Sequence, residues 1–224
     1  MKLDLSSIEQ IRSFALQFQE KFEALDILIN NAGVLSFKRT TTSDGFESMM
    51  GINHLGHFLL TKLLLEQIKN STQGQIVTVS SSSHKKGKID FQDPHRQNTF
   101  SFMEAYGQSK LANILFTLEL SERLKGSHAT ANCLDPGTVS TNIGVSRKNG
   151  TWAKSLHALM KPFVSSPIKG AETAIFLADS PDVERISGKY FNKKKVTPVS
   201  PEAQDKQLAA RLWEWSEREV EAMI

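Results

Sequence analysis

Three short apolar runs, each stopping at small or hydrogen-bonding residues and each followed by a stretch of helical periodicity, constrain the fold of this chain most. The first, Asp26-Ile27-Leu28-Ile29-Asn30, stops at Asn30-Asn31-Ala32-Gly33 and reads as a buried parallel strand entering a turn. The second spans Gln75 to Ser80 and is rich in β-branched residues. The third, Thr130 to Leu134, ends at Asp135-Pro136-Gly137. Between them lie helical patterns. From Ser6 to Leu25 the residues Ile8, Ile11, Phe14, Ala15, Phe18 and Phe22 recur at intervals of three and four, with Ser6 or Ser7 as cap and Glu9 or Gln10 placed for a capping box. A long helical stretch covers Ser43 to Lys69, and another starts near Tyr106, runs through Leu111, Ile114, Leu115, Leu118 and Leu120, and stops at Gly126. Strand-helix alternation of this kind predicts one α/β domain over residues 1–224, a parallel sheet covered on both faces.

Past the third run the alternation loosens. Residues 144 to 169 read as a loop or short helices forming a flap, Gly170 to Ala178 is helical, Gly188 to Phe191 is a last short strand, and Pro201 to Val220 is a terminal helix. Its Trp213 and Trp215 are expected to serve core or subunit packing rather than a ligand.

Composition removes several function classes. A hydrophobic content of 39% over 224 residues suffices for a buried core, and a net charge of +3 with interspersed signs does not describe a nucleic-acid surface. Lys193-Lys194-Lys195 reads as a solvated turn. The single Cys133 excludes an internal disulfide and suits a reducing, cytoplasmic setting. No apolar run reaches the roughly 18 residues of a membrane span, no signal peptide is recognisable, and no His/Cys spacing suggests a metal.

In a parallel sheet covered on both faces, ligands bind beyond the carboxyl ends of the strands. The residues there are Asn30 to Gly33, Ser80 to Ser83, and Pro136 to Thr141. Tyr106-Gly107-Gln108-Ser109-Lys110 adds chemistry, because residues four apart share a helix face and a lysine held beside a phenol stabilises the phenolate. Moving a tyrosine from a pKa of about 10 to roughly 7 takes about 4 kcal/mol. Tyr106 is thereby a candidate general acid or base, its pKa expected to be depressed by Lys110.

Together these motifs resemble the short-chain dehydrogenases/reductases. Asn30-Asn31-Ala32-Gly33 is similar to that family's Asn-Asn-Ala-Gly turn, and Asn53 within Asn53-His54-Leu55-Gly56-His57-Phe58 matches its helix-borne asparagine. Ser81, Tyr106 and Lys110 match the rest of its catalytic tetrad, and Pro136-Gly137 with Thr141 is similar to the segment that contacts the nicotinamide. Ser80 to Gly87, Ser109 to Asn113 and Ile186 to Phe191 look like the retinol dehydrogenase-type branch, as does the spacing of 25 residues from Ser81 to Tyr106. The resemblance implies a Rossmann-like doubly wound fold and NADP or NAD as cofactor, with a lean to NADP. It also implies oxidation or reduction of a small-molecule alcohol or carbonyl, and a homodimer paired through the Asn53 and Tyr106 helices. In it, Ser81 bonds the substrate oxygen, Tyr106 supplies the proton, Lys110 bonds the nicotinamide ribose, and Asn53 holds a water linked to Lys110.

One family feature is missing. No stretch fits the Thr-Gly-x-x-x-Gly-x-Gly turn that receives the pyrophosphate, and Gly51 to Gly56 has the wrong spacing. Leu3-Asp4-Leu5 looks like the end of the family's third strand, where an aspartate contacts adenine, so the resemblance implies that the first strand-helix-strand-helix part is absent. Two expectations follow: the outer edge of the Asp26–Asn30 strand is open, and the dinucleotide is held weakly. Phe91, Phe100, Phe102 and Met103, with Trp152, Leu156, Leu159, Met160 and Phe163 of the flap, would favour an apolar substrate such as a retinoid, steroid or lipid aldehyde if they face the cleft. The competing expectation is a catalytically silent remnant or a binding module that pairs through the open edge; epimerase or dehydratase chemistry on the same tetrad is weaker.

Overall fold

The computed structural model of the chain describes residues 1–137 and 167–222. Its order is α1 (Ile8–Gln19), β1 (Ile27–Asn30), α2 (Ser48–Met50), a π-helical segment (Gly51–Leu55), α3 (Gly56–Leu63), α4 (Leu65–Asn70), β2 (Gln75–Val79), a 3-10 turn (Ser82–Lys86) and α5 (Phe102–Arg123). Then follow β3 (Thr130–Asp135), α6 (Pro167–Asp179), β4 (Tyr190–Asn192), β5 (Lys195–Val196) and α7 (Lys206–Glu221). The strands lie side by side in sequence order, the first four mutually parallel and β5 antiparallel to β4. This is the α/β, Rossmann-like architecture that the alternation predicts.

Alternating side chains send the sheet's apolar residues to two cores. Ile76, Ala131, Cys133 and Tyr190 join a large core with α1, α3, α5 and α7, whereas Val77, Val79, Leu134 and Phe191 pack with Leu177 of α6 and Val183. Every residue of β3 is buried, as expected of a central parallel strand. β1 has the open outer edge expected of it, pairing among the described residues only with β2, but it is not the buried strand that its apolar run suggests, since Ile27 and Ile29 are 40% and 43% exposed. They share the face of Val77, where α6 spans β2 and β3. Leu3-Asp4-Leu5 does not join the sheet.

Local chemistry sets the element ends. Ser7 caps α1 by accepting from the Gln10 backbone N–H, but α1 stops at Gln19 rather than at Leu25, leaving Phe22 at the surface beside Phe18. The predicted Ser43–Lys69 helix is interrupted by the π-helical segment and by a break at Leu64. Lys193 and Lys194 both adopt positive φ (49° and 63°), so the expected lysine turn is a tight hairpin connecting β4 to β5.

The terminal helix α7 packs on α5, and Trp213 sits between them: its ring is 4.9 Å from that of Phe58 and 5.8 Å from that of Phe116, while the Arg123 guanidinium lies 4.3 Å over it. His54 and Ser216 bond across the same contact at 2.8 Å. Both tryptophans are therefore core residues. Replacing Trp213 with Ala should lower unfolding free energy by about 3–5 kcal/mol in a urea titration; a change below 1 kcal/mol would show that α7 is not part of the core.

Candidate active site

The carboxyl ends of β1, β2 and β3 lie in register, Asn30 opposite Thr78 and Val79 opposite Leu134. α5 is bolted to this end of the sheet by polar bonds. The Val79 carbonyl accepts from Lys110 Nζ (3.2 Å) and Asn113 Nδ2 (3.0 Å), and Ser80 Oγ donates to the Lys110 carbonyl (2.7 Å). These bonds place the Tyr106 turn of α5 against the serines that follow β2. Gly87 and Gly107 allow the approach: a Cβ on Gly87 would lie 2.2 Å from the Gly107 carbonyl oxygen.

Ser81 does two things in this turn. Its hydroxyl caps the 3-10 turn, accepting from the Ser83 N–H at 3.2 Å and donating to Ser83 Oγ at 3.3 Å, and it favours ionisation of the Tyr106 phenol nearby. His84 is buried and folded back on the same turn, its Nδ1 2.7 Å from the Ser81 carbonyl and its ring edge-on to Tyr190. It serves the loop. His95 bonds Glu219 of α7 through Nε2 (3.0 Å).

Asn53 lies in the π-helical segment, where the Gly56 N–H reaches back to the Gly51 carbonyl. The extra residue in this turn aims Asn53 at the loop after β1. Asn53 Oδ1 accepts from the Val34 N–H (2.7 Å), and Nδ2 donates to the Val34 carbonyl (3.0 Å) and to Ser109 Oγ (3.1 Å). Fully buried, the amide clamps the β1 turn to α5. Gly33 sits beside it: a Cβ there would be 3.3 Å from Asn53 Oδ1 and 3.8 Å from Lys110 Nζ.

Electrostatics correct one expectation. Lys110 Nζ lies 5.5 Å from the centre of the Tyr106 ring, over its face. Burial lowers the Lys110 pKa to about 8, with Asp135 opposing the drop. Tyr106 is not depressed: burial pushes its pKa above the ordinary value and the Asp135 charge adds to this, while the Ser81 hydroxyl pulls the other way. The ammonium is spent on the ring face and on the Val79 carbonyl, and the charge that Tyr106 senses is a carboxylate.

The structure thus brings together Gly33, Asn53, Ser81, Tyr106 and Lys110. Pro136 is half-buried and Gly137 exposed with φ of 75° at the end of β3, adjoining this group through Asp135. Ala32 is exposed in the β1 turn. Asn30 points beneath the site, where its Nδ2 donates to Thr61 Oγ1 (2.9 Å) and reaches Thr78 Oγ1 (3.5 Å). Asp4 bonds the N–H and hydroxyl of Ser6, and no contact joins it to the tetrad among the described residues. Thr141 and the flap aromatics lie outside the described residues. Sequence reading missed Asp135 as more than a turn residue, although a lone carboxylate closing an otherwise uncharged strand is a signal in itself.

Comparison with known proteins shows the family and the fold. Residues 1–151 match the model of the short chain dehydrogenase family, and the chain belongs to that family. It is 46% identical to mouse retinol dehydrogenase 14 over 217 residues, covering 96% of this chain and 65% of that protein. It is 45% identical to human retinol dehydrogenase 13, covering 97% of this chain and 67% of that protein. A crystal structure of an uncharacterised protein from Mycobacterium paratuberculosis superposes with a TM-score of 0.74 at 32% identity, over 99% of this chain and 75% of that one. The chain therefore spans about two thirds of the length of these curated relatives. Among the described residues no helix is long and apolar enough to cross a membrane.

The buried ammonium makes a stability prediction. With a folded pKa of about 8 against an ordinary 10.5, Lys110 binds fewer protons folded than unfolded between those values, so stability should climb as pH rises through that window. Lys110→Met should remove this climb and raise stability at pH 7 by about 3 kcal/mol. Urea titrations from pH 7 to pH 10 check both; equal slopes for the two proteins would rule out the buried charge.

Proposed function

We propose that this chain carries the proton-transfer half of a nicotinamide-dependent oxidoreductase that interconverts an alcohol and a carbonyl. The observation that supports the reading is the packing of the serine turn after β2 against the Tyr106 turn of α5, with the Lys110 ammonium over the Tyr106 ring. A carbonyl oxygen bonded to both hydroxyls receives its proton from Tyr106, while Ser81 holds the oxygen and stabilises charge that develops on it. Burial and the Asp135 charge oppose ionisation of Tyr106, so at neutral pH the phenol is in the protonated form that can donate.

The donor set fits NADP or NAD. The Lys110 ammonium has three donors and a hydrogen bond to Val79 alone among the described residues, leaving others for ribose hydroxyls. Ala32, Gly33, Pro136 and Gly137 offer small or backbone groups around it, and Thr141 follows in sequence. The cofactor, when bound, supplies the hydride. Asn53 acts through the Val34 turn and Ser109 rather than on the substrate.

An apolar substrate is supported at the start of α5. Phe37 and Phe102 pack with ring centres 5.0 Å apart, one turn before Tyr106, with Phe37 62% exposed and Met103 48% exposed. Phe91 makes no such contribution, because it packs against Trp215 and Arg211 of α7. The relatives named as retinol dehydrogenases support a retinoid, steroid or lipid aldehyde class.

The test is oxidation of NADPH or NADH by the purified chain with retinal or a long-chain aldehyde. Tyr106→Phe should lose at least about 100-fold in rate, and Ser81→Ala about 100-fold, with folding intact. Undiminished turnover by Tyr106→Phe, or none by the parent at saturating cofactor, counts against the reading.

A second reading has its own observation: the unpaired edge of β1, flanked by exposed Ile27 and Ile29. It is a strand-pairing surface for another chain, and a small-molecule site is then incidental. Sedimentation separates the two, because self-association or aggregation through this edge should be reduced by Ile29→Lys. A monomer at high concentration with the parent sequence would remove the support for this reading.

A further inference from the structure

Asp135 closes β3 and is buried, yet it has no ion-pair partner among the described residues. Its two oxygens reach three separate segments. Oδ2 accepts from the Ser82 N–H (2.8 Å) in the turn after β2 and from the Tyr190 hydroxyl (3.3 Å) on β4, while Oδ1 accepts from the Gly137 N–H (2.8 Å) in its own turn. The first of these bonds lies one residue from Ser81, and the last lies in the turn proposed to face the nicotinamide.

We propose that Asp135 is a positioning residue of this site, a single carboxylate from which the serine turn and the Pro136-Gly137 turn both hang and which takes the Tyr190 hydroxyl as its third donor. The proposal rests on the oxidoreductase reading for its functional meaning, but its geometry stands apart from it. A carboxylate is suited to the task because it offers acceptors only, and all three partners are donors. An amide matches the site less well, since its NH2 would face one of the two backbone N–H donors.

The groups that face this charge come from each packed element. Tyr106 and Lys110 face it from α5, His84 from the 3-10 turn with Lys85 behind it, Tyr190 from β4, and Cys133 from its own strand next to Tyr190. Asp135 opposes the loss of the proton from Lys110 and opposes ionisation of both phenols, so the site is held as ammonium plus neutral phenols. The two tyrosines of the chain are Tyr106 and Tyr190, so a tyrosine-specific probe reads this charge directly.

The experiment is NMR titration of the whole chain carrying 13C-labelled tyrosine rings, with the two signals assigned by Tyr190→Phe. In the parent both phenols should titrate above the ordinary value of about 10. In Asp135→Asn both midpoints should fall; unmoved midpoints in a folded variant overturn the proposal. Should the variant not fold, the parent decides alone. Its Ser82 and Gly137 amide protons, both bonded to one carboxylate, should shift in acid with a shared midpoint, and independent or absent responses overturn the proposal. Neither readout needs turnover. Loss of the oxidoreductase reading would appear in the Tyr106→Phe rate and leave these titrations unchanged, whereas failure of the proposal would leave that rate loss intact.

Discussion

The site depends on one carbonyl. Val79, the last residue of β2, accepts hydrogen bonds from both Lys110 and Asn113, and the neighbouring Ser80 returns one to the Lys110 backbone. Three bonds at one strand end fix the rotation and the height of α5 relative to the sheet. A helix packed on a sheet by apolar contact alone retains freedom to slide, because burial is non-directional. Here the polar bonds remove that freedom, and the Tyr106 turn consequently packs against the turn that carries Ser81.

The same bonds set the charge balance. Lys110 is drawn into the protein to reach Val79, and its burial lowers its affinity for a proton. The only carboxylate that acts on both Lys110 and Tyr106 among the described residues is Asp135, which works for the ammonium and against the phenolate. Spacing on a helix puts a lysine near a tyrosine, but it does not say whether the ammonium meets the hydroxyl or the ring. In this chain it meets the ring.

Much of the fold was legible. Strands of the inner sheet showed as apolar runs because both faces of β2 and β3 are covered, and α5 showed as a long pattern with a glycine stop at Gly126. β1 was misjudged because a continuous apolar run reads as buried whether or not a neighbour arrives to cover it. The π-helical segment escaped notice since one added residue leaves the apolar pattern of residues 43 to 69 nearly intact while it redirects Asn53. β5 was hidden inside the lysine turn, two residues being too few for any periodicity. Of the site, Ser81, Tyr106, Lys110, Asn53 and Gly33 were found as motifs; Asp135 was read as a turn, and the clamp on Val34 was invisible because it ends on backbone atoms.

By itself the sequence determined the class of fold and the candidate site residues, since period, turn residues and residue type are local properties. Tertiary structure alone decided which way the charges act, how far the faces of β1 are covered, and that Trp213 joins α7 to α5. Each of these depends on distances between groups far apart in the chain. Hydrogen-bond direction and burial exist only after packing has brought those groups together.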